Sequence, residues 1–104
     1  MAVRHINMEQ YNNEIVKSEK LVLIDFFADW CMPCKMFAPI LEKVAEKIGD
    51  GAVIAKANID EVEAIAMEYG VMSVPTVIIF KGGEEVRRNV GGMSAGEVLN
   101  LLKD

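Results

Sequence analysis

Apolar residues along this chain recur with two different periods, and the switches between them mark out the elements. Leu21–Phe27 reads Leu-Val-Leu-Ile-Asp-Phe-Phe, a nearly continuous apolar run that suits a strand buried on both faces. Beyond it, Phe37, Ile40, Leu41, Val44, Ala45 and Ile48 recur at helical spacing, with Glu42, Lys43, Glu46 and Lys47 on the opposite face. Gly49-Asp50-Gly51 predicts the end of that helix. Pro39 predicts a kink within it, because proline lacks a backbone donor and crowds the preceding turn. Upstream, Val3–Ile6 predicts a short first strand, and Asn7 with Gln10 resembles a capping pair opening a helix over Met8–Lys17. Downstream, Val53–Ile59 predicts a third strand, and Asp60 with Glu63 predicts the cap of a short helix to Tyr69, closed by Gly70. Thr76–Lys81 and Glu85–Val90 are two strands joined through Gly82-Gly83, a hairpin signal. Ser94-Ala95-Gly96-Glu97 is a capping box that opens a last helix through Leu102. The predicted order is β-α-β-α-β-α-β-β-α, an α/β class. Strands alternating with helices pair in parallel through right-handed crossovers, and the closing hairpin adds an antiparallel edge to a mixed central β-sheet.

Length and charge narrow the picture. The chain has 104 residues with no linker, repeat or low-complexity segment, so one domain over 1–104 is expected. Its residues are 52% hydrophobic, which supplies a core without metal or disulfide staples. The net charge of −5 disfavours nucleic acid and anionic membranes as partners. No apolar run approaches a membrane span. The opening Met-Ala-Val-Arg-His-Ile-Asn lacks the apolar region of a signal peptide, and the C-terminus lacks a lipidation signal. Two cysteines are too few for a secreted disulfide scaffold. The expected compartment is therefore the cytoplasm, where a close cysteine pair is more often catalytic or metal-binding than structural.

Cys31-Met32-Pro33-Cys34 lies between the buried strand and the long helix, and that placement gives the pair a chemistry. Residues three apart in the first turn of a helix share a face, so their Cα atoms fall within reach of a disulfide. The helix start offers unpaired N–H groups and a partial positive charge, and both favour the thiolate that attacks disulfides. Pro33 suits the first turn, where its missing N–H costs nothing. Cys31, on the strand side, is expected to be the exposed nucleophile, and Cys34, inside the helix, the shielded resolving thiol. Two other readings are a metal half-site and an inert core pair. A structural zinc wants four ligands, and beyond the two cysteines the chain offers one histidine, His5, as a soft ligand. No metal and no cofactor is expected: there is no G-x-G-x-x-G and no Walker loop.

With these residues in view, the sequence resembles the thioredoxin family over nearly its whole length. The resemblance is carried by Asp25-Phe26-Phe27-Ala28-Asp29-Trp30-Cys31-Met32-Pro33-Cys34-Lys35, then Pro39, Lys56 and Asn58-Ile59-Asp60. Tyr69-Gly70-Val71, Val74-Pro75-Thr76 and Val90-Gly91 follow in the same order and spacing. It implies the thioredoxin fold, with helices on both faces of the sheet, and a general protein-disulfide reductase activity. The implied partners are disulfide-containing client proteins and a dedicated reductase, NADPH-linked or ferredoxin-linked, that recharges the dithiol. It further implies that the Val74–Pro75 bond is cis and faces the cysteines. Two positions depart from the family pattern. Met32 stands where members usually have Gly, beside the redox pair. Phe27 stands where many have a second Trp, an apolar replacement.

The resemblance also assigns supporting roles. Asp25 interrupts an apolar strand; a buried carboxyl has a raised pKa and can take a proton from Cys34 near neutral pH. Lys56 is the expected neighbour of Asp25. Trp30, Met32 and Pro33, with Val74, Pro75 and Gly91, are the expected docking surface for substrate. There Trp30 serves as an apolar anchor and Val74 as a backbone partner for an extended segment. Met32, Met72 and Met93 fall on loops gathered round the cysteines and are read as a flexible binding rim. A monomer is expected. The rival classes are a metal or iron–sulfur module, a redox-silent interaction protein of the same fold, and, within the enzyme class, an oxidant or isomerase. The last usually places His between the cysteines, and here Met32 and Pro33 carry no charge.

Overall fold

A computed structural model describes residues 3–103. Its strands are β1 (Arg4–His5), β2 (Val22–Phe27), β3 (Val53–Asn58), β4 (Thr76–Lys81) and β5 (Glu84–Val90), joined in one sheet in the order β1-β3-β2-β4-β5. β3 pairs in parallel with both β1 and β2; β4 is antiparallel to β2 and β5. The mixed sheet and its antiparallel edge are those the pattern predicts, and β2 sits at the centre, as its continuous apolar run requires.

Alternation along the strands sorts the core into two layers. Val22, Ile24 and Phe26 of β2 pack with Ile6, Tyr11, Ile15, Ile65, Ile78 and Phe80 on one face. Leu21 and Leu23 pack with Phe37, Leu41, Val44, Val77, Ile79 and Val98 on the other. The first face is covered by α1 (Met8–Gln10), which runs on into a π-helical turn at Tyr11–Ile15, and by α3 (Glu63–Glu68). The second is covered by α2 (Met32–Ile48) and α4 (Ala95–Leu101). By the same alternation Asp25 and, on β3, Lys56 belong to the α2 face.

The local signals hold at most ends. Asn7 and Gln10 form the predicted capping box, as do Ser94 and Glu97. The first helix stops short of Lys17, because the wide turn closed by Val16 N–H on the Tyr11 carbonyl puts both Tyr11 and Ile15 into the core. α2 is continuous through Pro39 and ends at Gly49, whose φ is 55°. The hairpin turns at Gly82 and Gly83, both at positive φ; a Cβ on Gly83 would also stand 3.0 Å from the Val16 carbonyl oxygen.

One predicted cap does not form. α3 begins at Glu63 behind Val62, which makes no side-chain cap, and Asp60 takes no part in capping. Asn58 organises this corner instead. Its side-chain oxygen accepts the Asp60 N–H at 2.8 Å, and its carbonyl accepts the N–H groups of Glu61 and Val62. An Asn that bonds the backbone two residues on makes a turn of its own, and the helix starts only after it.

Candidate active site

Cys31 caps α2. Its backbone is extended, with φ −94° and ψ 110°, while Met32 and Pro33 begin the helix. The Cys34 N–H points back at Cys31 Sγ from 3.2 Å. That is an orphan helix donor satisfied by sulfur, the arrangement that favours negative charge there. The two cysteines are joined as a disulfide with Cα atoms 5.3 Å apart. Across from them the Val74–Pro75 peptide is cis, and the Val74 carbonyl oxygen lies 3.6 Å from Cys31 Sγ. Gly91, at φ 97°, donates its N–H to the Pro75 carbonyl at 2.8 Å and so ties the end of β5 to this loop. Space does not demand glycine here, since a Cβ would meet nothing within 4 Å; the backbone conformation does.

The sequence leads one to expect an exposed Cys31 above a shielded Cys34. In the disulfide both are equally buried, each at 4% exposure. The pair packs in an apolar nest of Ala28, Phe27, Ile59 and Val74, which closes over both sulfurs. What stands in solvent is the collar around them: Trp30 at 71%, Met32 at 63% and Met72 at 96%. Pro33 is exposed, Val74 and Gly91 half-buried, and Pro75 buried. Met36, unmarked by the sequence reading, is as exposed as Trp30 and lines a cleft of about 440 Å³ with Pro33, Phe37, Ile40 and Met93. Its signal was available: Pro33 and Met36 are three apart in the first turns of α2, on one helix face.

Beneath the disulfide, Cys34 but not Cys31 opens onto a pocket of about 130 Å³ lined also by Asp25, Ala28, Lys35 and Lys56. Asp25 is 2% exposed and its Oδ1 has no hydrogen-bond partner among the described residues. Burial pushes its carboxyl up to about 7, against the opposing charge of Lys56. Lys56 is the register partner of Asp25 across the β2–β3 ladder. Its ammonium, however, lies over the Phe27 ring, 5.4 Å from the centroid, and no ion pair joins the two among the described residues. A cation above an aromatic face keeps its charge near the pocket without neutralising the acid.

Asn58 is the residue whose role the sequence reading missed. It is buried, and besides forming the turn it donates to Asp29 Oδ2 at 3.2 Å, fastening the segment that carries Trp30 and Cys31. The signal was the Asn-x-Asp spacing of an Asx turn. Asn58→Ala leaves the Asp60 N–H without its acceptor, and a loss of about 1–3 kcal/mol in urea unfolding is expected. A fall in the anisotropy of Trp30 fluorescence is expected with it; unchanged anisotropy would show that Asn58 does not hold this segment.

Among the described residues no three His, Cys, Asp or Glu side chains are grouped to hold a metal ion. His5 packs edge-on against Phe27 and places Nε2 3.4 Å from a Glu61 carboxylate oxygen. No helix among the described residues is long and apolar enough to cross a membrane.

The comparison with known proteins agrees with this geometry. The thioredoxin family model matches residues 2–104. The chain is 45% identical over 96 residues to a thioredoxin of Chlorobaculum thiosulfatiphilum, covering 92% of this chain and 89% of the relative. It is 48% identical over 86 residues to thioredoxin-2 of Saccharomyces cerevisiae, covering 83% and 82%. A thioredoxin of Acidithiobacillus ferridurans is 38% identical over 101 residues, covering 97% and 94%.

Proposed function

The chain belongs to the thioredoxin family of dithiol–disulfide oxidoreductases, and from that premise we propose which residue performs each step. Cys31 thiolate attacks one sulfur of a client disulfide. The client S–S bond breaks, one client thiolate leaves, and a mixed disulfide with Cys31 forms. Cys34 then gives its proton to Asp25 and attacks Cys31 Sγ. The second client thiolate leaves, and the Cys31–Cys34 disulfide closes. Two electrons have passed to the client, and a reductase returns them.

The observation that carries this reading is the position of Cys31 Sγ. It accepts a helix-start N–H at 3.2 Å, and it faces the Val74 carbonyl from 3.6 Å inside the apolar collar. The division of labour follows from the pocket, because only Cys34 shares it with Asp25. A pocket of about 130 Å³ has room for water to pass the proton. Lys56 keeps a positive charge near Asp25 and sets how readily the carboxyl accepts it. Trp30, Met32, Pro33, Val74, Pro75 and Gly91 form the docking surface. Val74 precedes β4 and lies outside its ladder, leaving its backbone for an extended client segment.

As a family member the protein takes its electrons from a reductase. Both an NADPH-linked and a ferredoxin-linked donor fit, and paired assays with each separate them. The working state is a monomer of one domain over 1–104, acting in the cytoplasm, where thiols are kept reduced. The direct test is dithiothreitol-driven reduction of a protein disulfide; absence of turnover sinks the reading.

Met32 acts on docking rather than on redox poise. It adds an exposed thioether and no donor beyond its backbone N–H, so the potential is expected near the figure of about −270 mV for thioredoxin, far from about −120 mV for strong oxidants. Met32→Gly is expected to shift the potential by less than about 30 mV, while changing the Michaelis constant with the reductase severalfold. A glutathione titration showing a much larger shift, with unchanged reductase kinetics, would make Met32 a redox-tuning residue instead.

A further inference from the structure

We propose that the cleft between the Asn58–Val62 turn and α3 docks a segment of the disulfide-bearing partner in which an apolar side chain is followed by lysine or arginine. This rests on the reductase reading and adds a recognition rule to it. The cleft is about 330 Å³, floored by Ile59, Ala66 and Val71, with Met67 standing over it at 81% exposure. Asp60 and Glu63 form its rim. It is continuous with the redox centre through Ile59, which packs against Ala28, Cys31 and Cys34 on its other side. A segment leaving Cys31 toward α3 therefore meets an apolar floor first and carboxylates next.

Charge settles the occupant. Asp60, Glu61, Glu63 and Glu68 lie between Lys56 and Lys81 with no lysine or arginine among them, so this stretch carries most of the chain's net charge of −5. Glu61 has His5 Nε2 3.4 Å from its carboxylate, whereas Asp60 and Glu63 have no such neighbour and make no ion pair among the described residues. The cleft on the other side of the cysteines is different. Its one acid, Glu97, accepts the Ser94 N–H at 2.9 Å as a helix cap, so that side offers a single carboxylate already used by its own helix against the two on the Asp60 and Glu63 rim. A second copy of this chain would bring the same negative charge against the rim. A basic-apolar segment removes Met67 and the half-buried Ile59 and Val71 from water and gives the two carboxylates partners.

The test uses short peptides with serine in place of cysteine, so that binding is read without chemistry. One carries Leu-Arg-Arg, its match Leu-Glu-Glu, and both are titrated into the full chain and followed by chemical-shift mapping. The Arg peptide is expected to bind about fivefold more tightly, moving the Met67 methyl and Ala66 signals. The advantage should fall below about twofold at ~0.5 M salt, where the screening length is only a few ångströms. It should fall as far in Asp60→Asn with Glu63→Gln at low salt. Equal affinities at low salt, or shifts confined to the Met36 and Met93 side, would overturn the proposal. So would concentration-dependent dimerisation through Met67. None of these results touches the reductase reading, which stands or falls separately on turnover of a protein disulfide.

Discussion

Cys31→Ser is expected to lower protein-disulfide reduction by at least about a thousandfold, whereas Cys34→Ser stops the cycle one step later. A serine hydroxyl at position 31 cannot supply the thiolate, so no client bond breaks. The helix-start N–H at 3.2 Å then stabilises nothing that can attack. With Cys34 replaced, Cys31 still attacks, but no neighbour remains to release the adduct. Intact mass spectrometry of Cys34→Ser mixed with an oxidised client should show one covalent adduct per chain, removed by dithiothreitol. The reduced parent protein should be alkylated at Cys31 before Cys34, because the first sulfur lies at the helix cap under the collar and the second opens inward onto the Asp25 pocket. Turnover surviving in Cys31→Ser, or an adduct forming on Cys34, would reverse the two roles.

Asp25→Ala is expected to make the protein more stable at pH 8 and slower at its work. The folded carboxyl titrates near 7, raised by burial, while an unfolded one titrates in the ordinary carboxylate range. Between those values the folded protein holds a proton that the unfolded chain has released, so stability falls as pH rises through this window. Below it both states are protonated and there is no penalty; above it the whole penalty is present. The ceiling on that penalty is ~4 kcal/mol at about 1.4 kcal/mol per pH unit. Water reaching the pocket reduces it, and a gain of about 2 kcal/mol on mutation is expected at pH 8, vanishing near pH 4. Urea midpoints of the oxidised protein at the two pH values measure it. A midpoint that falls at pH 8 would mean Asp25 is a paired, stabilising carboxylate. Turnover should drop by about tenfold or more, as Cys34 loses its proton acceptor. The residual rate should rise with pH as solvent hydroxide takes over.

Much of the fold was legible because it rests on local rules. The apolar run Leu21–Phe27 suits a strand buried on both faces, the Asn7 and Ser94 boxes name their own helix starts, and Gly82-Gly83 announces a hairpin. The cysteine pair was equally plain, since spacing, Pro33 and the strand-to-helix position all act within a few residues. The missed α3 cap marks the limit of this. Asn58 takes the Asp60 N–H on its side chain and the Glu61 and Val62 N–H groups on its carbonyl, so the chain turns before α3 starts, and Asn58 is itself buried and bonded to Asp29, a residue distant in sequence. The sequence by itself therefore determined the elements, their order and the redox pair. Only the tertiary structure decided that Cys31 lies as deep as Cys34, that Lys56 sits over Phe27, and that Asp25 and Cys34 share one pocket. Those outcomes depend on which face each strand turns to which helix, on the register of β2 against β3, and on the Ile59 and Val74 loops closing over the sulfurs. Burial, and with it the proton affinity of Asp25, is a property of that whole packing and of no single stretch of chain.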